Sequence, residues 1–250
     1  PKDVVVDAGN SYFKDTERRI ADLASKNLHF MGMGVSGGEQ GARRGPSIMP
    51  GGDLEVFNLV KPMLEVISAK VKGEPCTAYM GKGAAGNYVK MVHNGIEYAI
   101  MQLISEAYDL LRKGADLTNE QLYEVFKRWN EGEMNSFLIE ITRDIFQQKD
   151  DVTDGFLVDK ILDKAGAKGT GKWTSQEAME VGVSIPTIDI AVTSRILSAY
   201  KDERVKASQL YAKEEVKTPE NRELFIKEVG EALYLSTLIS YAQGLALLVK

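Results

Sequence analysis

Cys76-Thr77-Ala78-Tyr79-Met80, then Gly81-Lys82-Gly83-Ala84-Ala85-Gly86, then the apolar stretch from Val89 to Arg112: across these residues the chain changes from one texture to another. Before them, short β-branched runs alternate with helical spacing. Val4-Val5-Val6 ends at Asp7-Ala8-Gly9-Asn10, Thr16 to Lys26 has helical periodicity with Ile20, Leu23 and Ala24 on one face, and Leu28 to Val35 runs as a strand into Ser36-Gly37-Gly38. Pro46-Ser47-Ile48-Met49 with Pro50-Gly51-Gly52 forms a further strand and turn, and Cys76 to Met80 a last strand. Between them Leu54 to Ile67 is a helix expected to bury Val56, Leu59, Val60, Met63, Leu64 and Ile67. Strands alternating with helices predict a mostly parallel sheet. After Gly86 only helical patterns follow: Val89 to Arg112, a capping box at Thr118-Asn119-Glu120-Gln121, then Phe137 to Gln148, Thr187 to Ala207 and Leu224 to Val249. The predicted class is α/β followed by all-α, with a domain boundary at residues 81–86.

The bulk properties narrow the partners. A net charge of −5 argues against nucleic acid or an anionic membrane as the main partner, while a small anionic ligand can still meet a local basic cluster. No apolar run reaches the roughly 18 residues of a membrane span. The lone Cys76 fits a reducing compartment such as the cytoplasm, and His29 and His93 stand too far apart in sequence to predict a metal site. The strand at Val4 starts with no neighbour before it, and Leu245-Ala246-Leu247-Leu248-Val249-Lys250 stops without a capping signal, so a piece of a longer protein is expected.

The stretch Lys90-Met91-Val92-His93-Asn94-Gly95-Ile96-Glu97-Tyr98 carries most of the chemistry. On a helix, Lys90, His93, Asn94 and Glu97 form one polar stripe flanked by apolar residues. Burial favours the uncharged form of a Lys and of a Glu, the states a general base and a general acid need. Spacing alone favours a solvated charged face with an i, i+7 pair. Gly95 weighs against that, because Gly inside a helix costs about 1 kcal/mol relative to Ala and implies a close approach.

Three further stretches are candidates for anion binding. Ser36-Gly37-Gly38 presents a hydroxyl and backbone amides at a strand end, although Ser36 to Glu39 also has capping-box form. Lys168-Gly169-Thr170-Gly171-Lys172-Trp173-Thr174 resembles a phosphate loop without Walker spacing, and Thr174 with Glu177 could instead be a helix cap. Arg195 lies in an apolar helix and needs an anionic partner, either an internal carboxylate or a ligand. Gly32 to Gly37 and Gly81 to Gly86 both match GxGxxG literally. Neither is the expected dinucleotide site: the first lies partly inside a strand, and the second ends the α/β region.

Together these segments resemble the 6-phosphogluconate dehydrogenase family. The resemblance is carried by Asp7 to Ser11, Gly34 to Arg43, Gly45 to Gly52, Val89 to Tyr98, Ser136 to Thr142 and Lys168 to Thr174, in order along essentially the whole chain. It implies a partial Rossmann-like parallel sheet domain over residues 1–83, part of an NADP-binding domain, and a helical substrate and dimerisation domain over 84–250. It further implies oxidative decarboxylation of 6-phosphogluconate to ribulose 5-phosphate with NADP as cofactor, in a cytoplasmic homodimer. Lys90 would be the base and Glu97 the acid. Ser36, Gly37, Gly38, His93 and Asn94 would hold the carboxylate and hydroxyls, and Tyr98, Lys172, Thr174 and Arg195 the phosphate. Asn10 would stand where nicotinamide and substrate meet. Ala99-Ile100 departs from the Gly-Asp usual in the family. The glycine-rich NADP fingerprint and the C-terminal tail of the family have no counterpart in this chain, so poor turnover by the isolated polypeptide is expected. The competing readings are a hydroxyisobutyrate-type β-hydroxyacid dehydrogenase, which needs no phosphate grip, and a non-catalytic binding or dimerisation module.

Overall fold

The seam between strand and helix is made of glycine. Strand β2 (His29–Ser36) alternates Met31, Gly32, Met33 and Gly34, so that one face is bulky and the other bare. Met31 and Met33 turn into a core with Ile48, Phe57, Val60 and Leu64, while helix α4 (Ala85–Asp109) lies on the bare face. A Cβ added at Gly32 would stand 2.2 Å from Asn87 Oδ1, and one at Gly34 2.3 Å from Lys90 Cβ. From the helix side, a Cβ at Gly86 would stand 2.2 Å from the Met49 carbonyl oxygen and 2.7 Å from the Gly51 nitrogen. Both GxGxxG matches are therefore explained by packing. The second is also closed to phosphate, because the Glu17 carboxylate accepts the Ala84 N–H at 2.5 Å and occupies the positive end of α4.

The computed structural model describes residues 3–211 and 218–250. Two units form within it. The first comprises residues up to Gly95, Lys168–Val183 and Ala246–Lys250; the second comprises Ile96–Ala167 and Ser184–Leu245.

In the first unit, β1 (Val4–Asp7) pairs parallel with β2 after the crossover helix α1 (Phe13–Ala24). Strand β3 (Ser47–Pro50) instead pairs antiparallel with β2, so the sheet is mixed where a mostly parallel one is expected. The link over residues 37–46, with the short helix α2 (Gly38–Arg44), is too brief for the crossover of about a dozen residues that a parallel return requires. The segment expected as a strand from Cys76 to Met80 makes one parallel bridge, Thr77 to Ile48, flanked by bonds from Ile48 N–H to the Cys76 carbonyl and from Met80 N–H to the Pro50 carbonyl. Pro50 has no N–H to continue that ladder. Helix α3 (Leu54–Ile67) has the predicted bounds and is capped by the Asp53 carboxylate. Its buried face is Val56, Phe57, Val60 and Leu64, whereas Leu59 and Met63, expected inside, are 69% and 60% exposed. A small hairpin, β4 (Lys70–Val71) with β5 (Glu74–Pro75), follows.

In the second unit, α4 ends in a π-helical turn at Leu110–Gly114. Helix α5 (Asn119–Asn130) opens on the predicted capping box at Thr118, and α6 (Phe137–Ile145) on the Ser136 side chain. Phe126 and Phe146 meet between these helices, with ring centroids 5.2 Å apart. The first unit then claims α7 (Thr170–Val181). The single helix expected from Thr187 to Ala207 is two, α8 (Pro186–Ser198) and α9 (Lys201–Leu210). Helix α10 (Arg222–Leu248) is apolar on every side but covered on one: Ile226, Val229 and Leu233 are buried, while Leu235, Leu238 and Ile239 are exposed.

Gly86→Ala sets about 1 kcal/mol of gained helix propensity against a contact with three backbone atoms that cannot turn away. The expected net loss is about 3 kcal/mol by urea unfolding, as for a severe overpacking change. Gly132→Ala, whose Cβ would meet nothing closer than 3.7 Å, is expected to stay within about 0.5 kcal/mol. Equal effects would contradict the glycine seam.

Candidate active site

The carboxyl edge of the sheet is set by the β1–β2 register, which places Asp7 beside Gly32 and lets β2 run on to Ser36. Asp7 organises the turn after β1: its carboxylate accepts the Gly9 N–H at 2.9 Å and the Ser11 hydroxyl at 2.8 Å, leaving Asn10 exposed at the turn. After β2, Gly37 and Gly38 have φ of 143° and 55°, conformations that demand glycine, and nothing lies within 4 Å of where a Gly38 side chain would stand. The N-cap of α2 is Gly37, without a side-chain bond, so Ser36 and Glu39 do not form a capping box. This edge, with Asn10 on one loop and open backbone on the other, fits the reactive end of a dinucleotide, which binds outside the carboxyl ends of parallel strands. The two GxGxxG stretches offer no place for a pyrophosphate.

Lys90, His93 and Asn94 face this part of the first unit from α4. All three are half-buried, and the stem of Lys90 rests on the bare Gly34 two residues before Ser36. His93 Nδ1 is 3.2 Å from Asn94 Oδ1, and the Asn94 amide donates to the Thr170 hydroxyl at 3.0 Å. Lys90, His93 and Glu97 each engage neighbours within the protein. Glu97, also half-buried, follows Lys90 by seven residues on the unbroken α4, which returns it to within about 20° of the same direction.

Helix α7 corrects one expectation. Thr174 is fully buried, and its hydroxyl lies 2.9 Å from both the Met91 and the Thr170 carbonyl oxygens, so its donor is spent inside the protein. It is not a helix cap either, since α7 starts at Thr170 on Gly169. The residue that meets the polar stripe is Thr170, one turn earlier, which the sequence reading passed over. Its signal was Gly169, whose φ of 99° marks the helix start. Lys172 is exposed in the first turn. Trp173 packs over Gly169 and against Tyr12, with ring centroids 4.9 Å apart. One turn further, Glu177 pairs with Lys14 at 3.2 Å and holds that ammonium above its ordinary range through hydrogen bonding and charge. Gly95 has the close neighbour its helical position implied: a Cβ there would stand 2.7 Å from Thr174 Cγ2.

In the second unit, the Arg195 guanidinium lies over the Tyr98 ring, its central carbon 3.7 Å from the centroid, and donates to the Gly166 carbonyl at 2.9 Å. Among the described residues it pairs with no carboxylate, so the internal salt bridge is not its role. Asp163, three residues before Gly166, accepts from Arg204 at 2.8 Å and from Lys201 at 2.5 Å, and these bonds hold its carboxyl well below the usual range. Among the described residues, no group of three potential metal ligands occurs and no helix is long and apolar enough to cross a membrane.

Comparison with known proteins places these features. The family model described as the NAD binding domain of 6-phosphogluconate dehydrogenase matches residues 1–81, and that described as 6-phosphogluconate dehydrogenase, C-terminal domain, matches residues 86–250. The chain is 59% identical over 245 residues to the NADP(+)-dependent, decarboxylating 6-phosphogluconate dehydrogenase of Bacillus subtilis, covering 98% of this chain and 52% of that protein. The structure of the Plasmodium falciparum 6-phosphogluconate dehydrogenase, determined in apo form and in complexes with NADP+ and with its substrate 6-phosphogluconate, matches with a TM-score of 0.94 at 49% identity, over 98% of this chain and 53% of that one. A 3-hydroxyisobutyrate dehydrogenase from Salmonella typhimurium shares the fold alone, with a TM-score of 0.58 at 18% identity, over 91% of this chain and 70% of that one. The chain spans about half the length of the 6-phosphogluconate dehydrogenases it matches.

Gly95→Ala is expected to destabilise by about 1–2 kcal/mol, the clash with an immobile Thr174 outweighing the helix-propensity gain. Thr174→Ala removes both the clashing methyl and the hydroxyl, so the double variant should lose less than the sum of the singles by about 1 kcal/mol; strict additivity would refute this packing. A separate expectation concerns acid. Because the Asp163 carboxyl sits below its ordinary 3.8, the stability it contributes is present above that value and fades as pH falls through the lowered one. Solvent screening keeps that contribution small for an exposed carboxylate, so Asp163→Asn should lie below the parent by no more than about 2 °C in unfolding midpoint at neutral pH and converge with it well below pH 3.8, which acid titrations of both chains would check.

Proposed function

Because the chain belongs to the 6-phosphogluconate dehydrogenase family, we propose that it binds 6-phosphogluconate and contributes the acid–base pair for the NADP-linked oxidative decarboxylation of that sugar acid to ribulose 5-phosphate. The observation that carries this reading is the placement of the α4 stripe, with the Lys90 stem on Gly34 beside the Ser36 edge and Asn94 bonded to Thr170. A solvated charged face would have neither contact.

Asn10 would hold the nicotinamide end of NADP, whose chemistry when bound is to accept the hydride from carbon 3 of the substrate. Lys90 takes the proton of the carbon-3 hydroxyl, which becomes the carbonyl of a β-keto acid. The bond between carbons 1 and 2 then breaks, carbon 1 leaves as carbon dioxide, and its electron pair passes toward the carbon-3 carbonyl, whose oxygen takes back the proton from Lys90 to leave an enediol. Glu97 delivers a proton to the former carbon 2, now carbon 1 of ribulose 5-phosphate, while Lys90 accepts the proton of the neighbouring hydroxyl as it becomes the ketone. Ser36, the Gly37 and Gly38 backbone, His93 and Asn94 orient the carboxylate and hydroxyls. Tyr98, Arg195 and Lys172 grip the phosphate, with Thr170 in the place first assigned to Thr174. Arg195 suits this task because its planar fork pairs with phosphate while its face stays stacked. Residues 1–83 serve as part of the cofactor-binding domain and 84–250 as the substrate and dimerisation domain, in a cytoplasmic homodimer whose interface includes the uncovered side of α10.

Calorimetric titration tests the substrate class. Expected is binding of 6-phosphogluconate about 100-fold tighter than of 3-hydroxyisobutyrate, because charge-assisted bonds to phosphate contribute about 1.5–3 kcal/mol each. Lys90→Met should abolish whatever NADPH formation the chain supports while changing its affinity for 6-phosphogluconate little. Equal affinity for the unphosphorylated acid would overturn the proposal.

A further inference from the structure

Residues 159–167 of the second unit are all exposed, Ile161 and Leu162 included, so hydrophobic burial does not fix where this segment lies. Polar ties to the α8–α9 corner do so instead. Arg204 donates to the Asp163 carboxylate at 2.8 Å, to the Asp163 carbonyl at 3.0 Å and to the Ser198 carbonyl at 3.1 Å. Lys201 reaches the same carboxylate. The Ser198 hydroxyl accepts the Ala165 N–H at 2.9 Å and donates to the Arg195 carbonyl at 2.7 Å. The segment ends this set of bonds at Gly166, whose carbonyl holds the Arg195 side chain over Tyr98.

Exposed ion pairs of this kind contribute little to stability, about 0–1 kcal/mol each, so a clamp of two cations on one exposed carboxylate is poorly explained as a stabilising device. It is well explained as a device for placement. Every bond runs to the Asp163 carboxylate, to the backbone of residues 163–166 or to the end of α8 that carries Arg195, and among the described residues the Arg195 fork spends one bond, on the Gly166 carbonyl. We infer that Asp163, clamped by Arg204 and Lys201, is a positioning residue that sets the pose of the Arg195 guanidinium through residues 165–166 and so tunes recognition of the substrate phosphate. The inference rests on the phosphate role proposed for Arg195.

The test is calorimetric titration of the full chain with 6-phosphogluconate and with gluconate, which lacks only the phosphate, alongside thermal unfolding. Asp163→Asn is expected to weaken 6-phosphogluconate by about tenfold, to leave gluconate unchanged, and to move the unfolding midpoint by no more than about 2 °C. Asp163→Glu should recover part of the loss. In an Arg195→Met background, Asp163→Asn should cost nothing further, because the grip it places is gone. Equal weakening of both ligands, or an undiminished effect of Asp163→Asn in that background, would overturn the inference while leaving the role of Arg195 intact. If Arg195→Met itself keeps the preference for the phosphorylated acid, the phosphate role of Arg195 falls and the inference falls with it.

Discussion

A side chain that is absent governs the first unit. Gly32, Gly34, Gly51 and Gly86 let α4 lie on the sheet at a separation no residue with a Cβ permits, and at Gly51 and Gly86 the contacts are with backbone atoms that cannot rotate away. That approach decides the rest. It brings Lys90 down onto β2, aligns His93 and Asn94 with α7, and leaves the opposite face of β2 free to build the methionine-rich core with α3. The Glu17 carboxylate completes the seam by satisfying α4 where its first amides would otherwise be unpaired.

Much of this was legible in the sequence. The bounds of α3, the three sheet strands, the capping box of α5 and the polar stripe of α4 all follow from periodicity and caps, which are local properties. Gly95 was legible too, as a residue whose cost implied a neighbour, and that neighbour is Thr174. What could not be seen depends on contacts distant in sequence. The break between α8 and α9 is fixed by Arg204 and Ser198 meeting residues 163–165, and no apolar period records that. The antiparallel pairing of β3 follows from the length of a link, a constraint that an alternating strand–helix pattern does not express.

The exchange of Thr170 for Thr174 has the same origin. Both lie in one short stretch and on one side of α7, four residues apart, so spacing ranks them equally. Both are buried, and their partners separate them: the Thr174 hydroxyl serves backbone carbonyls and the Thr170 hydroxyl meets Asn94. A motif identifies the loop, while the hydrogen-bond partners of each turn assign the task within it. Likewise α3 has two apolar stripes, and only the sheet determines that Phe57 faces inward and Met63 outward.

The two tryptophans give the division into units an optical signature. Trp173 sits on Gly169 against Tyr12 in the first unit, and Trp129 sits on Gly230 against Phe126 in the second. With no other indole in the chain, each unit carries its own intrinsic fluorophore. Emission from single-tryptophan variants thus distinguishes one cooperative melting event from two, and does so without any added label.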